Sequence, residues 1–181
     1  MYLQDAFDGG FAEVSIFKTI DGVRRKARID YLKTVGVVDL KTYSNSYGAR
    51  ADTAMHVACA KGRHDVQAAW YLDLVEHAKK LPFFNFNADA EWEERFRKSK
   101  QHPYYIVYQE SGLVPIARGK HMSRKLNTFK VAQTQCETAV QTYRDCLERF
   151  GDDPWIVPEP ITNFEDEAFP CLLYTSPSPR D

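Results

Sequence analysis

The chain is expected to fold as an α/β protein (α+β), with a mixed central sheet that opens on an antiparallel meander and is flanked by helices. Three observations predict this. Residues 12–42 alternate apolar and polar side chains in three short runs, the period of strands. Residues 64–80 and 120–150 carry apolar side chains at helical spacing. Between them, residues 103–110 form a Tyr-rich apolar run of strand length, which extends the sheet beyond the meander.

The elements follow in order. From Ala12 to Thr19, Val14 and Ile16 share one face and Glu13, Ser15 and Phe17 the other. Asp21-Gly22 is a two-residue hairpin signal, because both residues tolerate positive φ. From Arg24 to Leu32, Ala27, Ile29 and Tyr31 oppose Lys26, Arg28 and Asp30. A turn at 33–36 leads into a third strand, with Val38 and Leu40 on one face and Asp39 and Lys41 on the other. A polar loop at 44–50 precedes a short helix from Ala51, ending near Gly62. A longer helix from His64 to Lys80, with Val66, Ala69, Trp70, Leu74 and Ala78 at its apolar positions, is closed by Pro82. The charged stretch at 91–100 reads as a solvated helix or an insertion, and residues 113–118 as a strand pairing with 103–110. A long amphipathic helix from Lys120 to Phe150 ends at Gly151. Residues 1–170 are expected to form one domain, and the Ser/Pro-rich residues 171–181 a disordered or artefactual tail.

The two turns set the pairing registers. A hairpin centred on Asp21-Gly22 places Glu13 opposite Asp30, and a turn centred on Thr34-Val35 places Asp30 opposite Asp39. Glu13, Asp30 and Asp39 then form a row on one face, with Lys41 two residues beyond. Like charges directly opposed across strands are destabilising, so such a row calls for a cation. Hard carboxylate oxygens suit Mg²⁺, with Mn²⁺ as a substitute. The alternative is a solvent-facing sheet on which Lys26, Arg28 and Lys41 neutralise the acids.

Asp30, then Asp39 and Lys41 as Asp-x-Lys on the next strand, then Gln67 and Tyr71 as Gln-x-x-x-Tyr on a helix, resemble the PD-(D/E)XK nuclease superfamily. The similarity is to the phage-type exonuclease VIII (RecE-like) C-terminal nuclease domain, a relative of RecB-type nuclease domains. It spans roughly residues 13–155. The resemblance implies a restriction-endonuclease-like core and Mg²⁺-dependent hydrolysis of DNA phosphodiester bonds, in the manner of an exodeoxyribonuclease acting at duplex ends in recombination. Its catalytic residues would be Asp30, Asp39, Lys41, Gln67 and Tyr71, with Asp30, Asp39 and Glu13 toward the metal. Gln67 and Tyr71 share one helix face, from which they would hold the phosphate backbone or order Lys41. Members of the family supply a further His from a helix upstream of the first strand. The first His here is His56, so that helix is expected to be missing.

DNA is therefore the expected partner, together with a single-strand annealing recombination protein and a second copy of the chain in a homo-oligomer. With 24 basic and 25 acidic residues and net charge −1, DNA contacts must rest on local groups: Arg24, Arg25, Lys26 and Arg28 first, then the cluster at 120–125. His56, His64, His77, His102 and His121 read as surface or capping residues. The four cysteines lack Cys-x-x-Cys spacing, which disfavours zinc, disulfide and iron–sulfur readings. Without a signal peptide or an apolar run of spanning length, the expected setting is the cytoplasm of a bacterial host or phage-infected cell, with no membrane contact. The competing expectation is a non-catalytic DNA- or partner-binding module that keeps the nuclease fold.

Overall fold

The computed structural model describes residues 1–46, 48–84, 87–112, 116–153, 155 and 160–162. The expected tail at 171–181 and most of the proline-punctuated stretch after Pro154 lie outside them. The chain divides into two units, Met1–Asp145 and Cys146–Asp181. In the second, Gly151 at φ +57° ends a helix, its N–H bonding to the Leu147 carbonyl, and the Trp155 indole donates to the Gly151 carbonyl at 3.3 Å.

The first unit holds the sheet. Strands β1 (Gly10–Ile20), β2 (Val23–Lys33), β3 (Gly36–Tyr43), β4 (Tyr104–Glu110) and β5 (Ala117–Met122) lie in the order β1-β2-β3-β4-β5. All neighbours are antiparallel except β3 and β4. A parallel pair needs a crossover, here supplied by helices α1 (Ala51–Gly62), α2 (His64–Ala78) and α3 (Ala90–Lys98). A fourth helix, α4, runs from Asn127 to Phe150. The mixed sheet, its opening meander and its flanking helices are as expected.

Two expected boundaries are corrected. The strand expected at 113–118 runs from Ala117 to Met122, and residues 113–115 lie outside the described residues. Residues 120–122 belong to β5, not to the long helix, which starts at Asn127. Strand β5 lies at a sheet edge and is exposed along nearly all its length. It therefore carries no apolar alternation to distinguish it from a solvated helix turn.

Helix α2 is the element on which the fold turns. Ala68, Ala69, Leu72, Leu74, Val75 and Ala78 are all buried, so nearly its whole circumference is covered. It packs over β1 and β2 in a core that holds Val14, Ile16, Ala27, Ile29 and Leu32 of those strands, Val37, Tyr43, Tyr104, Ile106 and Tyr108 of β3 and β4, Met55 of α1, Phe96 of α3, and Phe129 and Ala132 of α4. The other face of the sheet has a much smaller cluster, Ala6, Val38 and Val107 with Tyr31 and Tyr105 against it.

The registers follow the turns as expected, with Val14 opposite Ile29 and Tyr31 opposite Val38. The alternation breaks where the row of acids was placed. Phe11 and Val14 both face the main core, as do Ile29 and Leu32, although each pair is three residues apart. Tyr31, expected on the face of Ala27 and Ile29, lies in the smaller cluster instead. Glu13 takes a left-handed conformation at φ +56°, and neither it nor Asp30 is paired in the ladder. Both strands thus shift phase at the same level, as at a bulge. The ladder between β2 and β3 stops at Tyr31 and Val38, and the two strands fork at Asp30 and Asp39.

At the start of β1, a Cβ on Gly10 would lie 2.4 Å from the Leu32 carbonyl oxygen and 2.8 Å from the Tyr31 ring. Backbone cannot yield there, so Gly10→Ala is expected to destabilise the fold by about 1–3 kcal/mol, measured as a lowered urea midpoint.

Candidate active site at the fork of the sheet

Asp39 stands on the central strand in a row with Val37, Lys41 and Tyr43, facing α2. It is fully buried, a carboxylate where the pattern of a covered sheet calls for an apolar residue. Each of its oxygens meets a different group. The Gln67 side-chain amide donates to Oδ1 at 2.9 Å. The Lys41 ammonium lies 2.6 Å from Oδ2, a close ion pair. The buried Tyr104 hydroxyl borders the carboxylate closely enough to act on it as a donor.

Burial pushes the Asp39 carboxyl up to about 6, Lys41 opposing the rise and Asp30 adding to it. Burial and the nearby Asp39 and Tyr71 hold the Tyr104 hydroxyl far above the usual phenol range, so it stays protonated as a donor. Tyr71 packs its ring edge-on against Tyr104, centroids 6.5 Å apart. Gln67 and Tyr71, one turn apart, therefore both bear on Asp39: Gln67 directly and Tyr71 through Tyr104. Gln67 meets Asp39 rather than Lys41, which corrects one expected contact. Tyr104 had no signal in the sequence beyond being an aromatic of a buried strand.

Asp30 sits at the fork and accepts the Leu40 backbone N–H on Oδ2 at 2.8 Å. That bond replaces the lost ladder pairing and ties β2 to the Asp39–Lys41 segment. Its other oxygen has no bonded partner among the described residues. Asp30 thus stands near enough to raise the Asp39 pKa, while Lys41 and Gln67 contact Asp39 itself.

Glu13 does not join them. Its carboxylate pairs with Arg28 at the exposed surface, because the left-handed residue turns its side chain away from Asp39. Among the described residues no group of three or more His, Cys, Asp or Glu side chains is placed to hold one ion. The expected three-carboxylate row is corrected to two. Two hard carboxylates, one of them buried with the Lys41 ammonium and its donors about it, still fit Mg²⁺, which keeps several waters and takes one or two protein carboxylates.

The expected DNA-contacting group also divides. Arg25 faces inward, bonded to Asp73 at 3.2 Å and lying over the Trp70 ring. Arg28 is held by Glu13. Arg24 and Lys26 are turned outward and form no ion pair among the described residues. In the second cluster, Lys120 pairs with Asp52 at 2.6 Å, and Arg124 lies 3.5 Å from Glu76 and over the Phe129 ring. Neither is an unengaged surface cation.

Two histidines depart from the surface assignment. His102 is fully buried against Phe96, and burial lowers its pKa to about 4. His64 starts α2 as expected but is buried, its Nδ1 bonded to the Tyr108 hydroxyl at 2.8 Å. Tyr108 is the ladder partner of Lys41, so this bond braces the strand beside the site. The ring fits because residue 62 is glycine: a Cβ there would lie 2.2 Å from His64 Nε2. Among the described residues no helix is long and apolar enough to cross a membrane.

No family model and no curated protein matches this sequence. A crystal structure of a protein from Eubacterium rectale, described as a "putative exonuclease", is similar, with a TM-score of 0.50 and 15% identity over 88% of this chain and 57% of that one. This chain thus spans less than two thirds of that protein's length. At such identity the likeness is one of fold, and the five-stranded mixed sheet with its helices is compatible with a restriction-endonuclease-like core.

Proposed function

We propose that the chain is a Mg²⁺-dependent deoxyribonuclease of the PD-(D/E)XK type, an exonuclease hydrolysing phosphodiester bonds at duplex ends. The carrying observation is Asp39. A carboxylate sealed on the central strand, with Lys41 on one oxygen and Gln67 on the other, costs stability and has no packing purpose. The fold it shares with the E. rectale protein supports the same reading.

In this reading Asp30 and Asp39 hold the cation. When bound, it polarises the phosphate and lowers the pKa of a water. Gln67 fixes the Asp39 carboxylate against rotation, and Tyr71 keeps the Tyr104 donor in place behind it. Lys41, the flexible cation at the mouth of the site, offsets charge developing on the phosphate. Arg24 and Lys26, the outward-facing pair, contact the DNA backbone. A role in phage-type recombination, with a single-strand annealing partner, belongs to the same proposal.

One observation favours a second reading, a DNA- or partner-binding module that keeps the fold without cutting: among the described residues only two carboxylates meet at the fork. Digestion of linear duplex with Mg²⁺, with Mn²⁺ and with chelator decides between the two. We expect acid-soluble nucleotides from linear DNA with either metal, none with chelator, and a covalently closed circle left intact. Binding of DNA without release of nucleotides in any metal would establish the second reading.

A further inference from the structure

We propose that in the cation-free protein the Lys41 ammonium occupies the place on Asp39 that the metal needs, and that cation entry exchanges it out toward the substrate. The inference rests on the nuclease reading and adds a lock to it.

The contacts of the two acids lead to this. Asp39 has two oxygens and both are met: Oδ1 by Gln67 and Oδ2 by Lys41. A carboxylate oxygen carries two lone pairs, so a cation can join Gln67 on Oδ1, but on Oδ2 it would meet the Lys41 ammonium, which repels it and must move away. Gln67 stands on α2, whose residues Ala68, Ala69, Leu72, Leu74, Val75 and Ala78 are packed into the core. Lys41 is different. Its side chain is 22% exposed while that of Asp39 is 1% exposed, so the ammonium has a way out and the carboxylate does not. Its contact with Oδ2 is an ion pair at 2.6 Å, held from the more exposed side. A compact ammonium on a four-carbon stem can leave such a contact by rotation alone.

The surroundings suit the exchange. An ammonium and a divalent ion repel one another and cannot share one oxygen. Asp30, the other carboxylate at the fork, keeps one oxygen without a bonded partner while its Oδ2 is fixed on Leu40 N–H. The buried Tyr104 hydroxyl beside Asp39 remains to steady the carboxylate after Lys41 has gone. Metal-binding carboxylates are commonly oriented by such a neighbouring donor. Lys41 thus becomes available to a phosphate only when the cation is in place. With no metal the site stays closed by its own ion pair.

The test compares cation binding by the whole chain without DNA. Calorimetric titration with Mn²⁺ is run on the wild type, Lys41→Met, Lys41→Arg and Asp39→Asn. Lys41→Met is expected to bind about tenfold more tightly than wild type, Lys41→Arg no more tightly than wild type, and Asp39→Asn not measurably. Relief of repulsion alone would also tighten Lys41→Met, so a second readout is needed. In reductively ¹³C-methylated protein the Lys41 resonance, assigned by its absence in Lys41→Arg, should move toward the free-lysine position as Mg²⁺ is added. A stationary Lys41 resonance during saturable binding, or a Lys41→Met variant binding no better than wild type, overturns the exchange and leaves the nuclease reading intact. Absence of binding by every variant overturns both.

Discussion

Asp39→Ala is expected to lower kcat for digestion of linear duplex by about a thousandfold or more, with KM for DNA little changed. The size follows from what the residue does in the proposed site. It is the better buried of the two carboxylates facing the cation, and metal activation of water and phosphate is worth several kcal/mol. The split between kcat and KM follows from position. Asp39 is buried whereas Arg24 and Lys26 are exposed on β2, so DNA is held by groups that the substitution does not touch. Lys41→Met should lose about 10²–10³-fold in kcat, the usual loss for one donor facing developing charge. Glu13→Gln is the contrast. Its carboxylate is turned outward onto Arg28, so kcat should stay near the wild-type value. Steady-state kinetics on the three variants, each checked for folding by circular dichroism, measure this. A Glu13→Gln loss as large as that of Asp39→Ala would restore the three-acid row and refute the geometry argued above.

Both registers were legible in the sequence because two short turns set them. A hairpin at Asp21-Gly22 and a tight turn at Thr34-Val35 leave little choice of partner, and Asp30 and Asp39 fall together from counting alone. Glu13 was misplaced for a reason counting cannot see. Pairing partners specify distance along the ladder, but the side a side chain points to depends on φ. One left-handed residue inverts it. The break at Glu13 and Asp30 leaves no trace in the polar–apolar pattern, since Glu, Ser, Arg and Lys suit the outer face equally well.

The burial of Asp39 was equally hidden. Alternation tells which residues share a face; it does not tell which face lies under a helix. The apolar positions of α2 marked it as a core helix, and Gln67 among them was the clue to what that helix covers. Tyr104, His64 and His102 carry polar atoms into the interior, and residue type alone does not separate such residues from surface ones. They become visible only when β4 is laid beside β3 in parallel, which places Tyr104 and Tyr108 level with Val37 and Lys41.

The same residue that should carry the chemistry should weaken the fold, and the pH dependence shows it. In an unfolded chain Asp39 titrates near 3.8; in the folded protein its carboxyl is raised to about 6, chiefly by burial, against the pull of Lys41. A raised folded value means that the native state holds the proton more tightly. Below about pH 4 the residue is neutral in both states and its contribution is fully present. As pH rises through 6 the folded protein is forced to bury a charge and that stability is lost. Asparagine in its place cannot ionise and still fits the space. The gap in stability between Asp39→Asn and wild type should therefore open from about pH 4, be complete above about pH 6.5, and favour the variant by about 2–3 kcal/mol at neutral pH. Urea unfolding at pH 4, 5.5 and 7.5 measures it. Lys41 is the group that decides the outcome. Where its ion pair offsets burial more fully than the raised value implies, the gap narrows at every pH together. A wild type more stable than Asp39→Asn at pH 7.5 would mean that the ion pair outweighs burial and that Asp39 is a structural anchor.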